Sequence, residues 1–210
     1  MRTTIVLRLL VVAVAVGSGA LALADMARGQ NNSGGAMFSV GEELEYNVSY
    51  LFFNLGRIRL QVLERFSRDG AVAYRTRAYI DSNPSLAWLI ELHAVFESEV
   101  DEEMYSHLWI ADEQRRDGTV YRRRFAFDYE QNHVIIERGT RAATGQLTVE
   151  AIDTVRITQK CQDGLSLFYY ARAHVRSKKQ DNVPTFIERE QVNTFINFLN
   201  RVTPVEIDSA

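Results

Sequence analysis

The chain has 210 residues, 46 % of them hydrophobic and 24 % charged, which is enough for one domain with a hydrophobic core. Its 24 Lys and Arg stand against 27 Asp and Glu, and removing Arg2 and Arg8 of the leader leaves 22 basic residues and a net charge of −5. That balance excludes the basic surface of a nucleic-acid binder, so no nucleic-acid partner is expected.

Residues 1–24 begin with Arg2 and Arg8, continue as LLVVAVAVGSGALALA, and place Ala22 and Ala24 at a small-x-small cleavage site before Asp25. They predict a secretory signal peptide, and hence a periplasmic or secreted protein. The alternative is an uncleaved anchor, because the apolar run approaches the roughly 20 residues of a spanning helix. A lone Cys161 makes no disulfide within the chain and reads as a buried thiol. Residues 25–37, DMARGQNNSGGAM, lack apolar periodicity and predict a flexible linker; residues 38–210 then form a single β-rich domain.

In residues 38–52, Phe38, Val40, Leu44, Tyr46, Val48, Tyr50 and Phe52 fall on even positions with mostly polar or small residues between them. This is the alternation of a strand with one buried face. A turn is predicted at 54–56, followed by a strand in which Ile58, Leu60 and Val62 alternate with Arg57, Arg59 and Gln61. Arg68, Asp69 and Gly70 predict the next turn, and residues 72–80 a third strand.

In DSNPSLAWLIEL, Asn83 suits a cap, Pro84 a first turn, and Leu86, Leu89, Ile90 and His93 a helical face. Extended runs follow at 93–100 and 105–111, then a hairpin turn at Asp117 and Gly118, a strand over 120–128 and another over 133–137. Residues 139–145 read as a polar loop and 147–157 as strand. A second helix is expected over 163–179, capped by Asp163, with Arg172, Arg176, Lys178 and Lys179 toward its C-terminal end. Two further strand-like runs occupy 185–189 and 192–199. The predicted fold is mainly β, an antiparallel curved sheet or incomplete barrel with two short helices.

Three stretches, FSVGEELEYNVSY, YRRRFAFD and CQDGLSLFYYAR, resemble the bacterial exported family called domain of unknown function 3108. Its opening Phe-x-x-Gly-Glu-x-Leu-x-Tyr strand is matched by Phe38, Gly41, Glu42, Leu44 and Tyr46, and its Phe-Asp hairpin by Phe127 and Asp128. Its Asp-x-Leu-Ser-x-x-Tyr-Tyr-x-Arg pattern is matched by Asp163, Leu165, Ser166, Tyr169, Tyr170 and Arg172. The resemblance implies an envelope-facing β-rich domain without an established activity, and further strands after a segment like RVTPVEID. The chain departs from the family at YSHLW, where the turn before the central hairpin usually carries a proline.

Among chemistry-bearing residues, Glu42 interrupts an apolar face and needs a partner, either an arginine such as Arg123 or Arg172 or a ligand. Arg123 shares a face with Tyr121, Phe125 and Phe127, and calls for a carboxylate or an anionic ligand. Arg122 and Arg124 read as solvent-facing and, with Arg115 and Arg116, as a local basic patch. Ser166 and Tyr170 share a helix face, but His174 lies two turns from Ser166 and no Gly-x-Ser-x-Gly elbow is present, so capping and packing explain these residues. His93, His107, His133 and His174 are dispersed, and Glu97, Glu99 and Asp101 read as a solvated face, so neither a metal nor any other cofactor is expected.

The leading expectation is a non-enzymatic envelope module that binds a lipid or another apolar small molecule on its concave aromatic face, through Glu42, Tyr46, Tyr121, Arg123, Phe125 and Phe127. The alternatives are a structural module that binds other envelope proteins, and an enzyme using Glu42 or Asp163 as acid or base. Cavity volume separates the first two: a carrier leaves space over the aromatic face, whereas a structural module fills it.

Overall fold

The computed structural model describes residues 38–50, 53–86 and 92–198; the leader and the linker lie outside them. Eight strands follow one another as an antiparallel meander: β1 (Glu43–Tyr50), β2 (Phe53–Arg68), β3 (Ala71–Ser82), β4 (His93–Asp101), β5 (Ser106–Gln114), β6 (Val120–Asp128), β7 (His133–Arg141) and β8 (Leu147–Arg156). β1 and β8 are its two edges, so the curved sheet is not closed into a barrel. After β8 come one helix, α1 (Ser166–His174), and a separate hairpin of β9 (Gln180–Ile187) and β10 (Glu190–Asn197). The fold is mainly β and antiparallel, as the alternation predicts.

Period-2 patterning assigns the faces. Ile58, Leu60 and Val62 of β2, Ala78 and Ile80 of β3, Phe96 and Val100 of β4, Trp109 and Ala111 of β5, Phe125 and Phe127 of β6, and Val134 and Ile136 of β7 are all buried on the inner face. Register brings Ala78, Phe96 and Ala111 side by side, and Phe125 beside Ile136. Trp109 stacks on Phe125 with ring centroids 4.7 Å apart and meets the edge of Phe96 at 5.9 Å.

The inner face is covered by the chain's own C-terminal part. Phe186 of β9, fully buried, stands edge-on to Phe125 at 6.1 Å and to Phe127 at 5.8 Å. Tyr169 of α1 packs on Phe38, which stacks on Tyr74, and Phe168 lies over Tyr46. A single parallel bridge between Gln162 and Thr185 ties β9 to the segment that enters α1.

Several expectations are corrected. The first strand begins at Glu43, not Phe38: Gly41 has a φ of +85°, the Glu42 amide donates to the Ser39 carbonyl, and the resulting turn leaves Val40 56 % exposed. Phe38 still reaches the core, from the turn and not from a strand. Residues 54–56 are not a turn but part of β2, paired with the end of β1 across a bulge at Val48/Ser49. At Gly56 the β3 backbone comes so close that an added Cβ would lie 2.2 Å from the Asp81 carbonyl oxygen.

Of the expected first helix, the described part is a 3-10 turn, Pro84–Leu86, capped by Asn83 Oδ1 accepting from the Ser85 amide at 2.9 Å. Leu89 and Ile90 lie outside the described residues, and His93 opens β4. Residues 139–141, read as loop, continue β7 because they pair with β6 on one side and β8 on the other. The α-helix stops at His174, short of residue 179. Lys178 takes a φ of +53°, and Lys179 and Gln180 pair with Phe198 and Asn197 instead. Arg176, Lys178 and Lys179 therefore lie beyond the helix. β9 ends at Ile187, and Glu188 and Arg189 make the turn into β10.

Candidate functional site

The six residues expected to form one ligand site separate into three places. Glu42, just ahead of β1, pairs with Arg172 in the last turn of α1, Oε1 to Nη2 at 2.6 Å, so of the two arginines the sequence offers, the helical one is taken. Tyr46 and Tyr169 flank the pair. Burial raises the Tyr46 phenol above its ordinary pKa, Arg172 opposes this and Glu42 adds to it. Burial, reinforced by Glu42, raises Tyr169 far above the ordinary phenol range. Both phenols are thus neutral and unsuited as bases. Glu42 Oε2, Arg172 Nη1 and the Tyr169 hydroxyl are buried without hydrogen-bond partners among the described residues. The chemistry of this cluster is attachment: it fastens α1 to the start of the sheet.

Arg123 meets its need for a carboxylate at Glu113 of the neighbouring β5, both side chains being little exposed at 13 % and 11 %. Opposite it in β7 stands Arg138, which pairs with Asp153 of β8, and Arg189 of the β9–β10 turn reaches the same Asp153 at 3.4 Å. Two arginines directly across a ladder repel, and here a carboxylate beside each one compensates. The Tyr121 ring centroid lies 5.9 Å from the Arg123 guanidinium carbon. Phe125 and Phe127 belong to neither charged cluster; they lie beneath Phe186.

A fully buried carboxylate stands at the entrance to the helix, at a residue the sequence offers as a cap and as an alternative acid or base. Asp163 precedes α1, and its Oδ1 accepts from the amides of Leu165 at 2.7 Å and Ser166 at 2.8 Å. The Ser166 hydroxyl accepts in return from the Asp163 amide at 2.9 Å, a reciprocal capping arrangement. Oδ2 accepts from Ser98 of β4 and, at 2.7 Å, from Ser106 of β5. Burial raises the Asp163 pKa, against the lowering effect of these four donors. Beside it the Tyr129 hydroxyl donates to the carbonyls of Ser106, at 2.5 Å, and Cys161. Burial pushes the Cys161 thiol up to about 12. Ser98 and Ser106 carry no motif; the only signal is that Ser98 occupies an inward position among apolar ones.

Ser166 is committed to the cap, and His174 Nδ1 lies 2.9 Å from the Tyr170 carbonyl with its ring stacked on Tyr170. Of the other residues that carry the sequence resemblance, Leu165 is fully buried, Leu44 is half-buried, and Asp128 Oδ1 accepts from the Gln131 amide in the β6–β7 turn.

The outer face carries a lattice of cross-strand ion pairs in place of the expected basic patch. Arg122 and Arg141 share Asp112 and Arg124 pairs with Glu137, while Arg115 lies on the ring of Tyr121, whose strand position is on the inner face. Nor are Glu97 and Glu99 merely solvated: Glu97 pairs with Arg77, and Glu99 with Arg68 and Arg75. Burial would raise Asp101, but hydrogen bonds from His107 and the Tyr105 amide, with Lys160 nearby, hold it below the usual carboxylate range.

A water-sized cavity of about 10 Å³ lies between Arg75, Glu97, Ser98, Glu99 and Leu108. An open cleft of about 350 Å³ lies at the end of β1–β3, between Asn47, Asn54, Arg57, Asp81 and Asn83. Among the described residues, no group of three His, Cys, Asp or Glu side chains is arranged to hold a metal ion. Comparison of the chain with protein-family models, with curated proteins and with solved structures finds no match.

Proposed function

We propose that this chain is an exported, non-enzymatic module of the bacterial cell envelope that works by binding other proteins. The observation that carries this reading is the position of Phe186 on Phe125 and Phe127: the aromatic face that a lipid carrier would leave open is filled by the chain's own β9 and α1. Releasing that cover would break the Glu42–Arg172 and Arg189–Asp153 pairs and the Asp163 network together. The two carboxylates considered as acid or base, Glu42 and Asp163, are both engaged in holding α1 to the sheet. Envelope location is supported by the leader, with Ala22 and Ala24 before Asp25, and by the family resemblance.

The test is native mass spectrometry of the protein recovered from the envelope after expression with its own leader. The expected mass is that of polypeptide alone, with no hydrophobic-dye binding. A stoichiometric co-purifying lipid would overturn the reading in favour of a carrier.

A further inference from the structure

One row across the inner face reads Ala111, Arg123, Arg138 and Ala151, from β5 to β8. It sets two arginines directly opposite each other, with a short alanine side chain at either end. Their charges are met from the neighbouring rows: Arg123 by Glu113, Arg138 by Asp153, and Asp153 by Arg189 as well. Three guanidiniums share two carboxylates, so the ion-paired cluster has an excess of one positive charge.

Its hydrogen bonding is incomplete too. Each of the facing arginines bonds its carboxylate through Nη2, while Arg123 Nε and Arg138 Nε are buried without partners among the described residues. The indole Nε1 of Trp109 is in the same state; Trp109 is 8 % exposed and stands on β5 diagonally across from Arg123. The unpartnered atoms around Glu42 mix an acceptor with donors, a set that water satisfies. Those around Arg123 are N–H donors only. Water offers them two lone pairs and no charge, and a buried donor left without an acceptor is costly.

We propose that Arg123, Arg138 and Trp109 bind an oxyanion of the phosphate type. Such an anion supplies what the cluster lacks, a negative charge against the third guanidinium and acceptor oxygens for the N–H groups. The donors come from three adjacent strands, which suits the tetrahedral oxygens of a phosphate better than the two coplanar oxygens of a carboxylate. Access is from the β7–β8 side, where the side chains of Arg138 and Arg189 are 33 % and 59 % exposed. Free phosphate and the phosphorylated head of a lipid carry the same chemistry.

The experiment is calorimetric titration of the exported protein with inorganic phosphate at constant ionic strength, with chloride as the reference anion. One saturable phosphate per chain is expected. Arg138→Met, which leaves Asp153 paired with Arg189, and Trp109→Phe, which keeps an aromatic ring on Phe125 and removes the N–H, should each weaken binding by at least about tenfold. Arg122→Met, on the outer face, should leave it unchanged. Circular dichroism shows which variants fold, and if Arg138→Met does not, Trp109→Phe decides alone. No saturable binding, binding that both inner-face variants retain in full, or an equal loss in Arg122→Met would overturn the inference. Flotation with phosphatidylcholine vesicles that carry phosphatidic acid, reversed by inorganic phosphate, would support the site and assign its anion to a lipid head; phosphate binding without flotation would support it with free phosphate as the ligand. Failure to bind phosphate would sink this site and leave the protein-binding reading standing.

Discussion

Ser106 and Asp163 hold each other by two hydrogen bonds in opposite directions: the serine hydroxyl donates to Asp163 Oδ2 at 2.7 Å and accepts from the Asp163 amide at 2.8 Å. With Ser98 as a further donor and the α1 cap completed by Oδ1, one fully buried side chain joins β4, β5 and the helix that covers the sheet. Removing it strands several buried partners at once.

Asp163→Ala is therefore expected to destabilise by about 3–5 kcal/mol in chemical denaturation, the cost of leaving buried donors unpaired. Asp163→Asn, which retains one acceptor oxygen, is expected to cost much less. The difference between wild type and Asn depends on pH. Because burial raises the folded-state pKa, the folded chain binds this proton more tightly than the unfolded one. The stabilisation is complete below the ordinary carboxylate pKa of about 3.9 and is lost as pH rises through the folded value. Denaturation midpoints of the two proteins should converge, or cross in favour of Asn, from pH 4 toward 7; a widening gap would refute this.

The Glu42–Arg172 pair predicts a coupling energy. Glu42→Gln, Arg172→Met and the double variant should show a coupling of about 1–3 kcal/mol, as for hydrogen bonds to charged groups in a partly buried site. Arg123→Met, the variant at the other candidate partner, should show none with Glu42→Gln.

Phe186→Ala should cost about 3–5 kcal/mol and open an apolar space between Phe125 and Phe127 that admits benzene or xenon. Phe195→Ala, at an exposed position of β10, should stay within about 0.5 kcal/mol. If Phe186→Ala were equally mild, the cover over the inner face would not be part of the cooperative core.

Cys161, buried and with its thiol pushed up to about 12, should resist a disulfide reagent at neutral pH until the protein unfolds. Stopped-flow labelling in rising denaturant should track global unfolding; rapid labelling of the native protein would show that the α1 entrance opens on its own.

Much of this fold is legible in the residues. The strand over Val120–Asp128 follows from alternation alone, and the turns at Asp69–Gly70 and Asp117–Gly118 from their residue types, because side-chain period and turn chemistry are local properties. Where the reading slips, a distant strand intervenes: Gly56 is shaped by the approach of Asp81, residues 139–141 by ladders on both sides, and the end of α1 by the pairing of Gln180 with Asn197.

The candidate residues divide the same way. Glu42 and Arg123 are recognisable as charges in need of partners, since a carboxylate or guanidinium on an apolar face is costly wherever the face is buried. Which partner each takes is a matter of strand order: Glu113 lies beside Arg123 because β5 neighbours β6, and Arg172 reaches Glu42 because α1 folds back across the sheet. Alternation shows that Phe125 and Phe127 share an inward face. Only the tertiary structure decides that Phe186, some 60 residues further along the chain, fills the space above them, because no local pattern encodes what a surface is packed against.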